Sequence, residues 1–253
     1  MGAKGPKIIV TDNPSSLART GADILTSDAI KAVANRGRFT IAISGGAGPR
    51  PMHRLLAMDP YLSEIPWANM HIFWVDDRCV PPGDPENNYG RALEDFLGTV
   101  PIPSGYIHSM PSEESPEKEA LRYQRELIRY FRLSRGEFPV FDLIFMGIGP
   151  DGHTASLFPK YSALKEDKRL ILAVKGGIPM VHRLTMTLPV LNNARKVVFL
   201  VSGKEKSAIL RDILTQRQKG LPAQMIKPVK GELIWLIDRK AASLLDYTKL
   251  DLE

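Results

Sequence analysis

Short apolar segments alternate along this chain with segments of helical periodicity. The segments 141–149 (FDLIFMGIG), 196–203 (KVVFLVSG) and 232–238 (ELIWLID) are almost continuously hydrophobic, which is typical of strands buried on both faces. Amphipathic segments alternate with strands of this kind, such as 115–131, which precedes 141–149 and has an acidic first turn. Buried strands that alternate with helices form parallel sheets covered on both sides. The sequence therefore predicts an α/β fold, doubly wound, with a mainly parallel sheet and helices on both faces.

The same patterns predict the order of the elements. Strands are predicted at 7–12, 38–44, 69–77, 141–149, 170–174, 183–188, 196–203 and 232–238. Helices are predicted at 15–35, 51–58, 88–97, 115–131, 204–214 and 241–246. Residues 80–88 and 100–117 are predicted to be loops, and no repeat or linker divides the sequence. We therefore expect a single domain over residues 1–253.

Composition limits the class of protein. No apolar run approaches the ~20 residues that span a bilayer, and the first residues lack the apolar stretch of a signal peptide. Cys79 is the only cysteine, so an intrachain disulfide is impossible and a reducing cytoplasm is expected. The net charge is +6, but the basic residues are scattered and form no nucleic-acid motif. We expect a small anionic substrate, no nucleic-acid or membrane partner, and a monomer or homodimer.

Polar residues follow several of the predicted strands. In a doubly wound fold, ligands bind beyond the carboxyl ends of the strands. The residues at those ends are 44–46, 76–78, 149–153 and 202–204. We expect these four segments to converge on one site.

The segment GPDGHTASLFP (149–159) carries the strongest candidate. A histidine titrates near neutrality, so His153 is suited to act as a general base that activates water. Asp151, two residues earlier, could fix its tautomer. A lone histidine is more often structural, but a glycine-flanked turn after a buried strand favours function. His53, His71, His108 and His182 lack that setting and are interpreted as structural or surface residues.

Two further turns offer groups for an anion. Ser44, Gly45 and Gly46 open the turn SGGAGPRP, whose backbone N–H groups could approach a phosphate, although a plain tight turn explains such glycines as well. In VDDR (75–78), Arg78 could hold a substrate oxygen or phosphate. Asp76 would orient that arginine or take part in acid–base chemistry. The alternative for this stretch is a local ion pair.

Two isolated cations could complete a phosphate pocket. Arg183 opens an apolar strand and Lys206 lies in the first turn of a helix, although lone cations on a basic protein are usually at the surface. The single cysteine and the dispersed histidines lack metal-ligand spacing, so neither a metal nor another cofactor is expected. No Ser-His-Asp arrangement can be assigned, and GxSxG is absent.

These motifs together resemble the 6-phosphogluconolactonase family over nearly the whole chain. The resemblance rests on SGGAGPRP, on FWVDDRCVPPGDPENNYGRALEDFL and on FDLIFMGIGPDGHTASLFP. The segments HRLTMTL, VSGKEKSAIL and LPAQMI follow in the expected order.

The resemblance implies a Rossmann-like fold of the sugar-phosphate isomerase type and hydrolysis of 6-phospho-D-glucono-1,5-lactone without a cofactor. It implies that His153 is the general base, that Asp151 supports it and that Arg78 lies in the site. It also implies phosphate contacts from the 44–46 turn, Arg183 and Lys206.

The chain departs from the family pattern at four positions. Ala47 and Gly48 stand where two hydroxyl residues are usual, Asp77 replaces a glutamate, and Asn87 replaces a serine. Each neutral hydrogen bond lost is worth about 0.5–1.5 kcal/mol, so phosphate affinity is expected to weaken while the reaction class is kept.

Two alternatives remain at this point. An amino-sugar-phosphate deaminase/isomerase would share the fold, but such enzymes resemble D-G-H-I-A-F-N-E-P where this chain has DGHTASLFP. A non-catalytic sugar-phosphate sensor would usually carry a DNA-binding module, and the predicted core begins at about residue 7.

Overall fold

The computed structural model describes residues 5–246 and is built on a seven-stranded sheet. In chain order the strands are β1 (Lys7–Thr11), β2 (Phe39–Ile43), β3 (Met70–Trp74), β4 (Asp76–Arg78), β5 (Ile107–His108), β6 (Leu143–Met146), β7 (Ile171–Gly176), β8 (Val181–Met186), β9 (Lys196–Val201) and β10 (Glu232–Asp238). The central sheet has the order β1-β10-β9-β6-β2-β3-β5, and every pairing in it is parallel.

Helices connect and flank these strands. They are α1 (Pro14–Arg36), α2 (Arg50–Leu56), α3 (Tyr61–Glu64), α4 (Asn88–Ala92), α5 (Pro116–Phe131), α6 (Leu188–Leu191) and α7 (Ser207–Leu214). Every residue of β2 and β6 is buried, which explains why those segments are apolar on both faces apart from Thr40. The predicted α/β fold with a mainly parallel central sheet is confirmed.

The longest helix has its ends defined by local chemistry. The Asn13 side chain accepts a 2.9 Å hydrogen bond from the Ser16 backbone N–H, and Pro14 occupies the first turn. Gly37 ends α1 with φ of 72°, a left-handed conformation that glycine adopts without steric cost. These features place the helix within a residue of the predicted 15–35.

The predicted strand at 69–77 is wrong as a single element. The chain leaves the central sheet after β3 and enters a second, three-stranded antiparallel sheet as β4, in the order β4-β8-β7. Val75 joins the two sheets, because its N–H donates to Ile43 of β2 while its carbonyl accepts from Met186 of β8.

The predicted strands at 170–174 and 183–188 also belong to the second sheet. They form β7 and β8, an antiparallel hairpin joined by residues 177–180. A parallel connection needs a crossover of a dozen residues or more, so a loop this short forces an antiparallel pairing. Periodicity could not reveal this, because a buried strand has the same pattern in either orientation.

Several helix predictions need smaller corrections. The predicted helix 88–97 is α-helical only to Ala92 and continues as a π-helical turn, Leu93–Leu97. A 3₁₀ turn, Lys204–Lys206, precedes α7, and the predicted closing helix 241–246 is a 3₁₀ turn at Ala241–Leu244. The predicted loop 100–117 contains β5 at the sheet edge.

None of the helices within residues 5–246 combines the length and apolar character that crossing a bilayer requires. The prediction of a single domain over residues 1–253 stays a prediction.

Candidate active site

A cleft of about 470 Å³ lies at the carboxyl ends of the central strands. The predicted site residues that line it are Ser44, Gly45, Gly46, Asp76, Arg78, His153, Arg183 and Lys206. Asp151 is not among the lining residues, but it contacts His153 directly. The segments after β2, β6 and β9 therefore meet the Asp76–Arg78 segment at one cleft, as expected.

His153 is held by the carboxylate of Asp151. One carboxylate oxygen lies 2.5 Å from Nδ1 of the histidine ring and also accepts the His153 backbone N–H at 3.1 Å. Partial burial would raise the pKa of Asp151, but the hydrogen bonds and charge of His153 outweigh it and lower that pKa. An ionised Asp151 fixes the proton of neutral His153 on Nδ1, which leaves the Nε2 lone pair available.

The turn that carries His153 is tightly packed. The Gly149 N–H donates to the His153 carbonyl at 2.8 Å, and Gly152 has φ of 80°. A Cβ atom on Gly149 would lie 2.1 Å from the His153 ring, so any residue other than glycine would displace the ring. Ala155 is also left-handed, with φ of 48°, an unusual conformation for a residue with a side chain. The backbone of this turn therefore fixes where the imidazole stands.

Two arginines lie side by side at the cleft. The antiparallel pairing of β4 with β8 sets Arg78 directly opposite Arg183. Arg183 is 5% exposed, and its Nε donates to the Gly176 carbonyl at 3.0 Å. Burial lowers the pKa of Arg183, and the charge of Arg78 lowers it further. Like charges opposed in this way are unfavourable in the free protein, and an anion between them would relieve the repulsion.

Asn88 and Glu86, rather than Asp76, orient Arg78. The guanidinium donates to the Asn88 side-chain oxygen at 2.6 Å and to the Glu86 carbonyl at 3.1 Å. Its Nε is buried without a hydrogen-bond partner among the described residues. Among the described residues Asp76 forms neither a hydrogen bond nor an ion pair with Arg78, so these contacts do not support the alternative in which Asp76 orients Arg78.

Asp76 is bound instead by Ser156 from the DGHTASLFP segment. The Ser156 hydroxyl is fully buried and donates to the Asp76 carboxylate at 2.6 Å. The neighbouring Asp77 accepts the backbone N–H groups of Arg78, Asn88 and Tyr89. One carboxylate of the DDR triplet thus lines the cleft, and the other holds the loop that follows β4.

The glycine turn after β2 approaches the same loop. A Cβ on Gly45 would lie 1.8 Å from the Asn88 side-chain oxygen, and Gly46 is left-handed with φ of 87°. The Ser44 hydroxyl is buried and has no partner within residues 5–246. Beyond the end of β9, the Lys206 ammonium donates to the Ile148 carbonyl at 3.0 Å. The turn and the lysine therefore present donors to the cleft from two strand ends.

The sequence missed Asn88 and left Ser156 without a role. Asn88 follows a Pro- and Gly-rich loop, and its contacts with Gly45 and Arg78 depend on how that loop folds back. His53, His71, His108 and His182 lie outside the cleft. Among residues 5–246, no cluster of histidine, cysteine and carboxylate side chains is arranged to hold a metal.

Comparison with known proteins identifies relatives over nearly the full length. The model of the glucosamine-6-phosphate isomerases/6-phosphogluconolactonase family matches residues 12–235. A 6-phosphogluconolactonase of Synechocystis sp. is 42% identical over 95% of this chain and 98% of its own length. The corresponding protein of Rattus norvegicus is 35% identical over 97% of this chain and 96% of its own. The crystal structure of 6-phosphogluconolactonase from Thermotoga maritima superposes with a TM-score of 0.79, at 28% identity, over 92% of this chain and all of that one.

Proposed function

We propose that this chain, which belongs to the glucosamine-6-phosphate isomerase/6-phosphogluconolactonase family, hydrolyses 6-phospho-D-glucono-1,5-lactone to 6-phospho-D-gluconate. The observation that carries the proposal is the 2.5 Å contact between His153 and Asp151 in a cleft that also holds Arg78, Arg183 and Lys206. A base beside several cations suits the hydrolysis of an anionic ester. The reaction would form the second step of the oxidative pentose phosphate pathway, in the cytoplasm.

His153 is the general base in this proposal. Nε2 removes a proton from water as the water oxygen attacks the lactone carbonyl carbon. The tetrahedral intermediate then collapses, the bond between the carbonyl carbon and the ring oxygen breaks, and that oxygen takes the proton from the imidazolium. Asp151 keeps the ring in the required tautomer and stabilises its positive charge during the reaction.

Arg78 is the donor that we assign to the carbonyl oxygen. Arg78 lines the cleft, and Asn88 and Glu86 fix its guanidinium before substrate binds. A preorganised donor of this kind stabilises the negative charge that develops on the oxygen.

The phosphate group is assigned to Arg183, Lys206 and the Ser44–Gly46 turn. Arg183 and Lys206 supply positive charge, and the turn offers backbone N–H groups and the Ser44 hydroxyl, which has no partner within residues 5–246. Binding of the remote phosphate orients the lactone against His153. Ala47 and Gly48 also line the cleft and bring no hydroxyl to it.

A lactonase assay on freshly prepared lactone, corrected for spontaneous hydrolysis, tests the proposal. The His153→Ala variant should lose most of the activity while it keeps the wild-type thermal unfolding temperature. Wild-type turnover in that variant would remove His153 as the base.

Two further measurements distinguish the alternatives. Rapid release of ammonia from glucosamine 6-phosphate would indicate an amino-sugar-phosphate deaminase. Tight binding of sugar phosphates without turnover would indicate a sensor.

A further inference from the structure

A second, smaller pocket of about 150 Å³ lies at the opposite end of the central sheet, where its strands begin. Three arginines line it, namely Arg36, Arg38 and Arg195, together with Thr40 and Asp142. Phe131 and Val140 complete its wall. The lactone hydrolysis proposed above makes no use of this pocket.

The topology of the sheet explains why these residues meet. Strands β9, β6 and β2 are neighbours, and Arg195, Asp142 and Arg38 each lie directly before one of them. Arg36 is the last residue of α1, which leads into β2. Parallel strands begin at the same edge, so residues more than a hundred positions apart in sequence surround one pocket.

The single acidic group among the described lining residues is fully engaged. One oxygen of Asp142 accepts from Arg36 at 2.8 Å and lies 3.3 Å from Nε of Arg195. The other oxygen accepts the backbone N–H and the hydroxyl of Thr40, both at 2.9 Å. A carboxylate has about four acceptor positions, so Asp142 cannot take further donors.

The guanidinium groups therefore keep spare donors and an excess of positive charge. Arg38 is exposed and its side chain makes no hydrogen bond among the described residues, but the guanidinium lies 5.4 Å from the centre of the Tyr130 ring, which orients it. The side chains of Arg36 and Arg195 are 40% and 55% exposed, so solutes reach them. Three cations face one carboxylate, and guanidinium groups bind oxyanions with a fixed fork of donors.

We propose that this pocket binds a small phosphate-type oxyanion, either inorganic phosphate or the phosphate group of a monoester. Arg38 and the unused N–H groups of Arg36 and Arg195 are its donors. The site is separate from the catalytic cleft, because the strands between them span about 15 Å at ~3.3 Å per residue. The proposal stands whether or not the cleft hydrolyses the lactone.

Titration with inorganic phosphate, followed by amide NMR, tests the proposal. The Arg183→Ala/Lys206→Ala variant is the background, so that phosphate binding in the cleft is suppressed. We expect the Thr40 and Asp142 amides to shift with saturable dependence on phosphate, and sodium chloride of equal ionic strength to leave them unchanged. A parallel titration with glycerol phosphate shows whether the monoester or the free ion binds more tightly, and saturable binding of either one supports the site.

Arg38→Gln removes one cation without breaking a hydrogen bond, and Arg125→Gln removes a cation from the exposed surface of α5 as the matched control. Arg38→Gln should lower the phosphate affinity measured at the Thr40 amide by about tenfold or more, because charge-assisted hydrogen bonds to the phosphate are lost. Arg195→Gln, which keeps a neutral donor, should weaken it as well, and Arg125→Gln should not. Absence of saturable shifts in the background variant, or equal phosphate affinity with and without Arg38→Gln in that background, would overturn the proposal.

Discussion

Gly149→Ala is the substitution that tests most directly how the His153 turn works. The added Cβ would lie 2.1 Å from Cε1 and Nδ1 of the His153 ring, whereas ordinary contacts begin at 3.4 Å. The ring must therefore retreat by roughly 1 Å, at the nitrogen that Asp151 holds at 2.5 Å. Gly149 does not have a positive φ, so alanine introduces no backbone strain there. The effect should fall on the position of the base and spare the fold.

A misplacement of about 1 Å can reduce an enzymatic rate by about 10²-fold, or close to 3 kcal/mol of transition-state stabilisation. We expect kcat/KM for the lactone to fall by that factor, mainly through kcat, with a thermal unfolding temperature near that of the wild type. Steady-state hydrolysis rates, corrected for the spontaneous reaction, and a thermal melt measure both quantities.

Gly105→Ala is the control, because a Cβ at that glycine also meets no atom within 4 Å and Gly105 does not line the cleft. Its kcat should stay close to the wild-type value. The reasoning is refuted if Gly149→Ala keeps wild-type kcat/KM, or if the two alanines reduce kcat equally.

Three further predictions concern Asp76, the phosphate contacts and a buried histidine. Ser156→Ala removes the 2.6 Å donor to Asp76 and should lower kcat/KM about tenfold or more, whereas Ser156→Thr should restore part of it if the hydroxyl is what matters. Arg183→Ala and Lys206→Ala should each raise KM more than they lower kcat, and an unchanged KM in both would remove them from the phosphate site. Burial lowers the pKa of His53 to about 4, so its stabilising contribution is complete above the unfolded value of 6.5 and is lost as the pH falls from there towards 4. Between pH 7 and pH 5 the free energy of unfolding of the wild type should therefore fall by roughly 2 kcal/mol more than that of the His53→Phe variant. An identical pH dependence in the two proteins would contradict this.

The sequence predicted the parallel sheet because strands such as β6 and β10 are buried on both faces and are apolar for that reason. It could not predict that the chain changes sheets at Val75, since no glycine or proline between Met70 and Arg78 marks a break. The two-residue β5 was missed because so short a segment has no periodicity.

The contacts in the candidate site are likewise of two kinds, those between neighbours in the sequence and those made only by the tertiary structure. Asp151 and His153 are two residues apart, so their contact is local, and the sequence was enough to propose it. Arg78 and Arg183 are brought together by the antiparallel pairing of β4 with β8, which no local pattern contains. Asn88 and Ser156 reach Arg78 and Asp76 only through the folded loop and turn.

The sequence by itself determined the fold class, the strand ends at which the candidate site lies and the adjacent pair Asp151 and His153 that we propose as the base. Those features depend on burial and on hydrogen bonds between residues close in the sequence, so local sequence patterns reveal them. The tertiary structure alone decided which strands are antiparallel, which groups hold Arg78 and Asp76, and how Arg36, Arg38 and Arg195 surround Asp142. Such contacts join residues distant in the chain, and their geometry exists only once the strands have paired.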